Sequence, residues 1–150
     1  MTQRTDELDI KVIRELKKDA RRSYREIAER LGVSEGTVYN RVQKLRENGV
    51  IKRFILDIDY SLLGYDLTAL IGLTVEGGHL TEVEGIIAEE PNVSAVFDVT
   101  GDYDAVIVAK FKGRKELNDL VKDILSIPHV LRTHTMIVLN VVKEEHGVEV

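Results

Sequence analysis

At 150 residues, with 43% hydrophobic and 31% charged side chains, the chain is long enough for one large domain or two small ones. It has no cysteine, which excludes a disulfide framework, a thiolate metal site and a cysteine nucleophile, and no apolar run reaches transmembrane length. The net charge of −5 is unevenly placed: residues 1–53 carry fourteen Lys and Arg against nine Asp and Glu, while residues 54–150 carry seven against seventeen. A cationic module followed by an acidic one is the distribution expected of a nucleic-acid-binding head on a body with another task.

The N-terminus, Met1-Thr2-Gln3-Arg4-Thr5-Asp6, leads into an acidic helix start rather than a signal sequence, so a cytoplasmic protein is expected. A first helix is predicted over about Asp6 to Lys18, with Leu8, Val12, Ile13 and Leu16 on its apolar face. Ser23-Tyr24-Arg25-Glu26 has the capping-box pattern and opens a short helix that buries Ile27 and Leu31 and stops at Gly32. Ser34 then caps a further helix with Val38, Val42 and Leu45 at helical spacing, and Gly49 suits the left-handed position beyond its end. Two short helices joined by so tight a glycine turn form a helix-turn-helix, the second helix being the reader. The β-branched, basic run Val50-Ile51-Lys52-Arg53 makes the unit winged.

On the reading helix, Ser34, Glu35, Gly36, Thr37, Tyr39, Asn40 and Gln43 are the groove-facing candidates. Gly36 permits close approach to DNA, Asn40 or Gln43 can pair bidentately with adenine, and Glu35 is read as favouring the helix N-terminus. Ser23, Tyr24, Lys44, Lys52 and Arg53 are better suited to phosphate, which sets register and salt dependence rather than sequence. Arg41 has two readings, a DNA contact or a buttress packed beside Val42.

The second half predicts a strand over Phe54–Ile58, a break at Ser61–Gly64 and a strand over Asp66–Val75. A helix follows, marked by Leu80, Val83, Ile86 and Ile87, and then a strand from Val93 through Thr100. After the turn Gly101–Tyr103 come the strand Asp104–Phe111, a helix with Leu117, Leu120, Val121, Ile124 and Leu125, and a long strand through Val142. This is a β-α-β unit written twice, with the two prolines, Pro91 and Pro128, at equivalent points. The natural solution is an α+β, ferredoxin-like βαββαβ sheet with both helices on one face. Asp104–Phe111 is apolar on both faces, so the face without helices calls for a partner, and a second copy supplies one.

The ordered set of Leu8-Asp9, Ile13, Ser34-x-x-Thr37-Val38-x-x-Arg41-Val42-x-x-Leu45, Gly49-Val50-Ile51, Gly101-Asp102-Tyr103-Asp104 and Thr133-His134-Thr135 resembles the Lrp/AsnC, or feast/famine, transcription regulators. The resemblance extends over essentially the whole chain. It implies a winged helix-turn-helix head over 1–53, a strand linker over 54–64 and a ferredoxin-like effector-binding and oligomerisation domain over 65–150. It also implies dimers that assemble into tetramers or octamers, with double-stranded DNA and a small effector, commonly an amino acid, as partners. No cofactor or membrane is implied.

Gly101, Asp102, Tyr103 and Asp104 are the effector candidates: two carboxylates for an amino group, with backbone N–H groups for a carboxylate. The plainer reading is a hairpin turn. Thr133 and Thr135 share a strand face and can hydrogen-bond an effector, although threonine is also common in strands. His134, on the opposite face, is read as structural. No nucleophile with a base is visible, and His79, His129, His134 and His146 show no metal-ligand spacing, so neither a catalytic nor a metal site is assigned. Two rival readings share the architecture. Sirohaem decarboxylases are one, and a ligand-binding module with a vestigial head is the other. The concentration of cations in the head favours the regulator.

Overall fold

The computed structural model describes residues 5–145 and 147–150; the residues before Thr5 and His146 lie outside the described residues. The chain divides into two compact units. One runs to Asp57 and takes in Glu145–Val150; the other is Ile58–Glu144. No helix among the described residues is long and apolar enough to cross a membrane.

The first unit is built from α1 (Glu7–Lys18), α2 (Tyr24–Leu31) and α3 (Glu35–Glu47). Its core is Val12, Leu16, Ile27, Ala28, Val38 and Val42, with Leu8, Leu31 and Ile51 packed around it. Each helix start is satisfied by a side chain. Asp6 and Asp9 form a reciprocal box at α1, Ser23 and Glu26 one at α2, and Ser34 accepts from the Thr37 N–H at 3.1 Å at α3. Gly32 and Gly49 take φ of 68° and 71°, the left-handed conformation that lets the chain leave each helix sharply. Residues 50–59 form no strand, contrary to the expected strands after Gly49 and over Phe54–Ile58. A strand needs a ladder partner, and among the described residues this segment has none.

The second unit is a four-stranded antiparallel sheet in the order β2-β3-β1-β4, with β1 Leu67–Val75, β2 Val93–Asp98, β3 Ala105–Phe111 and β4 Val130–Ile137. The helices α4 (Leu80–Ile87) and α5 (Arg114–Ser126) pack on one face, the expected ferredoxin-like arrangement. Ala69, Ile71 and Leu73 meet Ala109, Ile107 and Ala105 in register, and Phe111, Val83, Ile87, Leu120 and Ile124 complete a dry core. Ile86 and Leu125, among the residues that mark the two helices in the sequence, are about half exposed, at 45% and 48%. The narrow helix-sheet contact has room for one stripe per helix.

β4 ends at Ile137, short of the expected Val142. After the Val138 N–H pairs with the Thr68 carbonyl at 2.9 Å, the chain crosses the open sheet face, and Lys110 pairs with Glu144 at 2.9 Å. A shallow groove of about 430 Å³ lies there, lined by Thr68, Leu70, Val108, Val138 and Val141 among others.

Candidate DNA interface and effector site

The reading surface follows from the caps and the core. Val38, Val42 and Leu45 are buried, so α3 turns its other faces outward, exposing Glu35, Gly36, Tyr39 and Asn40 and leaving Thr37, Gln43 and Lys44 at the margin. A Cβ on Gly36 would meet nothing nearer than Ser34 Oγ at 4.0 Å, so packing within the chain gives no reason for a glycine there. Tyr24 and Tyr39 meet edge to face, 6.1 Å between centroids, joining the start of α2 to the outer face of α3. Lys52 and Arg53 are exposed beyond the glycine stop.

The hydroxyl of Ser23 is already engaged, accepting from the Glu26 N–H at 3.2 Å and donating to its carboxylate at 2.7 Å. The hydroxyl and the Ser23 backbone N–H, which donates to the same carboxylate at 2.8 Å, hold the Glu26 carboxyl below the usual carboxylate range. Arg41 is drawn inward. Its guanidinium donates to Asp6 and, at 3.1 Å, to Asp9, whose carboxylate is almost buried. Of its two readings, this geometry is the buttress, clamping α3 to the N-terminus of α1. A second brace, unforeseen in the sequence, is Glu15, which pairs with Lys18 at 2.9 Å and with Arg22. An acid three residues before a lysine and seven before an arginine was its only signal.

In the second unit the expected effector residues collect at one end of the sheet but on two faces. Gly101 takes φ of 120° in the β2–β3 turn. The Asp104 N–H donates to the Leu73 carbonyl at 2.8 Å, and its carboxylate accepts from the Val75 N–H at 2.8 Å. Asp104 therefore ties β3 to the end of β1, a bracing role. Thr133 and Thr135 lie opposite Leu73 and Ile71, hence on the helix side. Tyr103 lies on the open face, over Gly72 and stacked against His134 at 5.7 Å. Asp102 is exposed in the turn. His134 does sit opposite the two threonines, as expected.

At the same end, the structure joins residues that sequence spacing kept apart. His129 Nδ1 lies 2.8 Å from Glu76 Oε2, and the rings of His79 and His129 stack at 3.4 Å and 4°. The imidazole beside it holds the Glu76 carboxyl below the usual range. The expectation that the histidines share no site is thus revised for these two. They are fifty positions apart, beyond any local spacing rule.

With this geometry in view, residues 5–52 match the model of a winged helix-turn-helix DNA-binding domain, and residues 68–148 match that of the Lrp/AsnC ligand-binding domain. The chain belongs to the Lrp/AsnC family. It is 51% identical to an uncharacterized HTH-type transcriptional regulator of Pyrococcus abyssi, over 96% of this chain and 98% of that one. It is 44% identical to the HTH-type transcriptional regulator FL11 of Pyrococcus horikoshii, over 93% and 92%. Its fold matches that of Escherichia coli AsnC with a TM-score of 0.90 at 26% identity, covering 97% and 99% of the two chains. A Neisseria meningitidis regulator, solved as a complex with L-Met, has the same fold with a TM-score of 0.87 at 23% identity, over 98% and 96%. This Lrp/AsnC protein is a transcriptional regulator with a DNA-binding helix-turn-helix and a ligand-binding domain. The decarboxylase reading is not favoured.

Proposed function

We propose that this Lrp/AsnC regulator reads a two-fold-related operator as a dimer, and that an amino acid bound near the Gly101–Asp104 turn changes its assembly or DNA affinity. The observation that carries the reading is the outward face of α3, where Glu35, Gly36, Tyr39 and Asn40 stand exposed on a helix capped and clamped from behind. Asn40 and Gln43 contact base edges, with Ser34, Glu35, Gly36, Thr37 and Tyr39 beside them at the groove. Ser23, Tyr24, Lys44, Lys52 and Arg53 meet phosphates. Arg41 acts through the clamp rather than by contact. The working division is a head over 1–53, a linker over 54–64 and an effector and assembly domain over 65–150, acting in the cytoplasm on chromosomal DNA.

The dimer reading rests on unused apolar surface. The open sheet face presents Leu70, Val106, Val108 and Met136 half-buried, with Phe97 54% exposed. The linker adds Phe54, Ile55, Leu56 and Ile58, all exposed. A second copy covers such a face, and its symmetry matches paired half-sites. For the effector, Asp102 offers a free-standing carboxylate, while Tyr103, Asp104, Thr133 and Thr135 supply polar groups at the same sheet end. The amino-acid class is supported by the L-Met complex of the Neisseria regulator, which shares the fold.

The test combines binding-site selection with a ligand screen. Asn40→Ala is expected to lose about 1–3 kcal/mol of discrimination at one base pair while keeping its affinity for random duplex. An equal loss on all DNA overturns the base-reading role. The twenty amino acids are then screened by thermal shift, and hits are repeated by gel filtration with operator DNA. Asp104→Asn retains an acceptor for the Val75 N–H but removes the charge, and is expected to abolish the response of the hit while DNA binding without it persists.

A further inference from the structure

We propose that Glu76, His79 and His129 form a binding site for a divalent first-row transition-metal ion, separate from the DNA and effector surfaces. The three residues come from two breaks in the fold, the β1–α4 turn and the α5–β4 turn. Glu76 follows β1, His79 precedes α4, and His129 precedes β4. Backbone bonds bring them together: the Glu76 N–H donates to the His129 carbonyl at 2.9 Å, and the His79 N–H to the Glu76 carbonyl at 3.2 Å. One carboxylate oxygen and one ring nitrogen from each histidine all lie within 4.8 Å of one another. Glu82 Oε2 lies 3.5 Å from His79 Nδ1 and helps to orient that ring, outside the group of three.

Two further features single the cluster out. His129 has φ of 73°, the one non-glycine residue in the left-handed region among the described residues, and this backbone aims its ring at Glu76 and His79. Gly77 and Gly78 lie between Glu76 and His79, and a Cβ on either would meet nothing, so the turn has room to adjust. Adjustment is needed. Metal–ligand bonds of about 2.0–2.2 Å put ligand atoms about 3.3 Å apart, and an ion should lie in each ring plane. The stacked rings must therefore fan open by rotation, which their position at the surface, 36% and 33% exposed, allows.

The ligand chemistry sets the class of ion. Two imidazoles with one carboxylate suit zinc, cobalt or nickel, whereas magnesium and calcium prefer all-oxygen shells. A bound ion would pin the β1–α4 turn to the α5–β4 turn. Val75, next to Glu76, gives its N–H to Asp104, so the pinned turns adjoin the Gly101–Asp104 loop.

The test uses the full chain stripped of metal with a chelator and titrated with zinc by calorimetry, with cobalt absorption as a second readout. One ion per chain is expected, with a rise of several degrees in Tm, and the same concentration of magnesium should leave Tm unchanged. Glu76→Gln, His79→Asn and His129→Asn should each weaken zinc at least tenfold, asparagine at 129 being chosen because it tolerates a left-handed φ. Circular dichroism confirms that each is folded. His134→Asn removes a histidine elsewhere and should bind zinc like the parent. Parental affinity in His129→Asn, an equal loss in His134→Asn, or no saturable zinc uptake overturns the site.

Discussion

Gly72 shows how one residue can decide the shape of a candidate site. It lies mid-strand in β1, where glycine is ordinarily a weakness, yet a Cβ there would come within 2.7 Å of the Tyr103 ring. The absent side chain is what lets Tyr103 lie flat on the sheet beside His134. Gly72→Ala is therefore expected to lift the ring and abolish the stack, read as a change in the His134 ring shifts by NMR. If Tyr103 contacts the effector, affinity falls by about tenfold in the same variant. Arg41 makes the opposite point. An arginine on a reading helix suggests a DNA contact, but Asp6 and Asp9 capture it, and the guanidinium in turn helps hold the Asp6 carboxyl below the usual range, behind the bond from the Asp9 N–H. Only the distance between α3 and the start of α1 separates those roles.

Among the elements, the helices follow their local signals closely, because capping boxes, a glycine stop and a stripe of apolar residues act within a few positions of one another. α4 contains a conflict between such signals and the packed state. Glu84 is half-buried against β2, one of its oxygens is buried without a hydrogen-bond partner, and burial, with Asp98 nearby, pushes its carboxyl up. The fold thus favours protonated Glu84. Its contribution is favourable below the ordinary carboxylate range and is lost as pH rises through the raised value. Glu84→Gln is expected to raise Tm by about 2 °C at pH 7 and to give almost no gain at pH 4. A gain that is the same at both values would point instead to a general helix effect.

For the molecule as a whole, the cationic head and acidic remainder imply binding to DNA that weakens with salt. Replacing Lys52 with alanine should lower the slope of log affinity against log salt by about 1 for each head engaged, with little change in preferred sequence. The open sheet face carries the assembly prediction. Val106→Asp places a charge at its centre without disturbing the core, which lies on the other face. Sedimentation should show dimer affinity reduced by about thirtyfold or more, while circular dichroism is unchanged. A fully dimeric, folded Val106→Asp would place the interface elsewhere.

The fold class and the DNA-reading stretch were legible in the residues because both depend on short-range regularities. Ser34 caps its own helix, Gly49 ends it, and the short apolar, β-branched run of Asp104–Phe111 marks a strand whatever surrounds it. The strand expected over Phe54–Ile58 is absent for a related reason: its β-branched and aromatic residues announce strand propensity, but a ladder needs a partner that propensity cannot provide. What lies across long separations was settled only by tertiary structure. Asp104 reaches the Val75 N–H, Arg41 closes on Asp9, Tyr103 and the two threonines part to opposite faces, and His79 meets His129. The helix contact depends on how α1 and α3 pack, and the others on the order and register of strands: a one-residue slip of β4 would turn Thr133, His134 and Thr135 to the other face. The sequence alone determined the helices α1–α5, the sheet strands β1–β4 and the outward face of α3, because these follow from local signals; the packed sheet decided which polar groups come together.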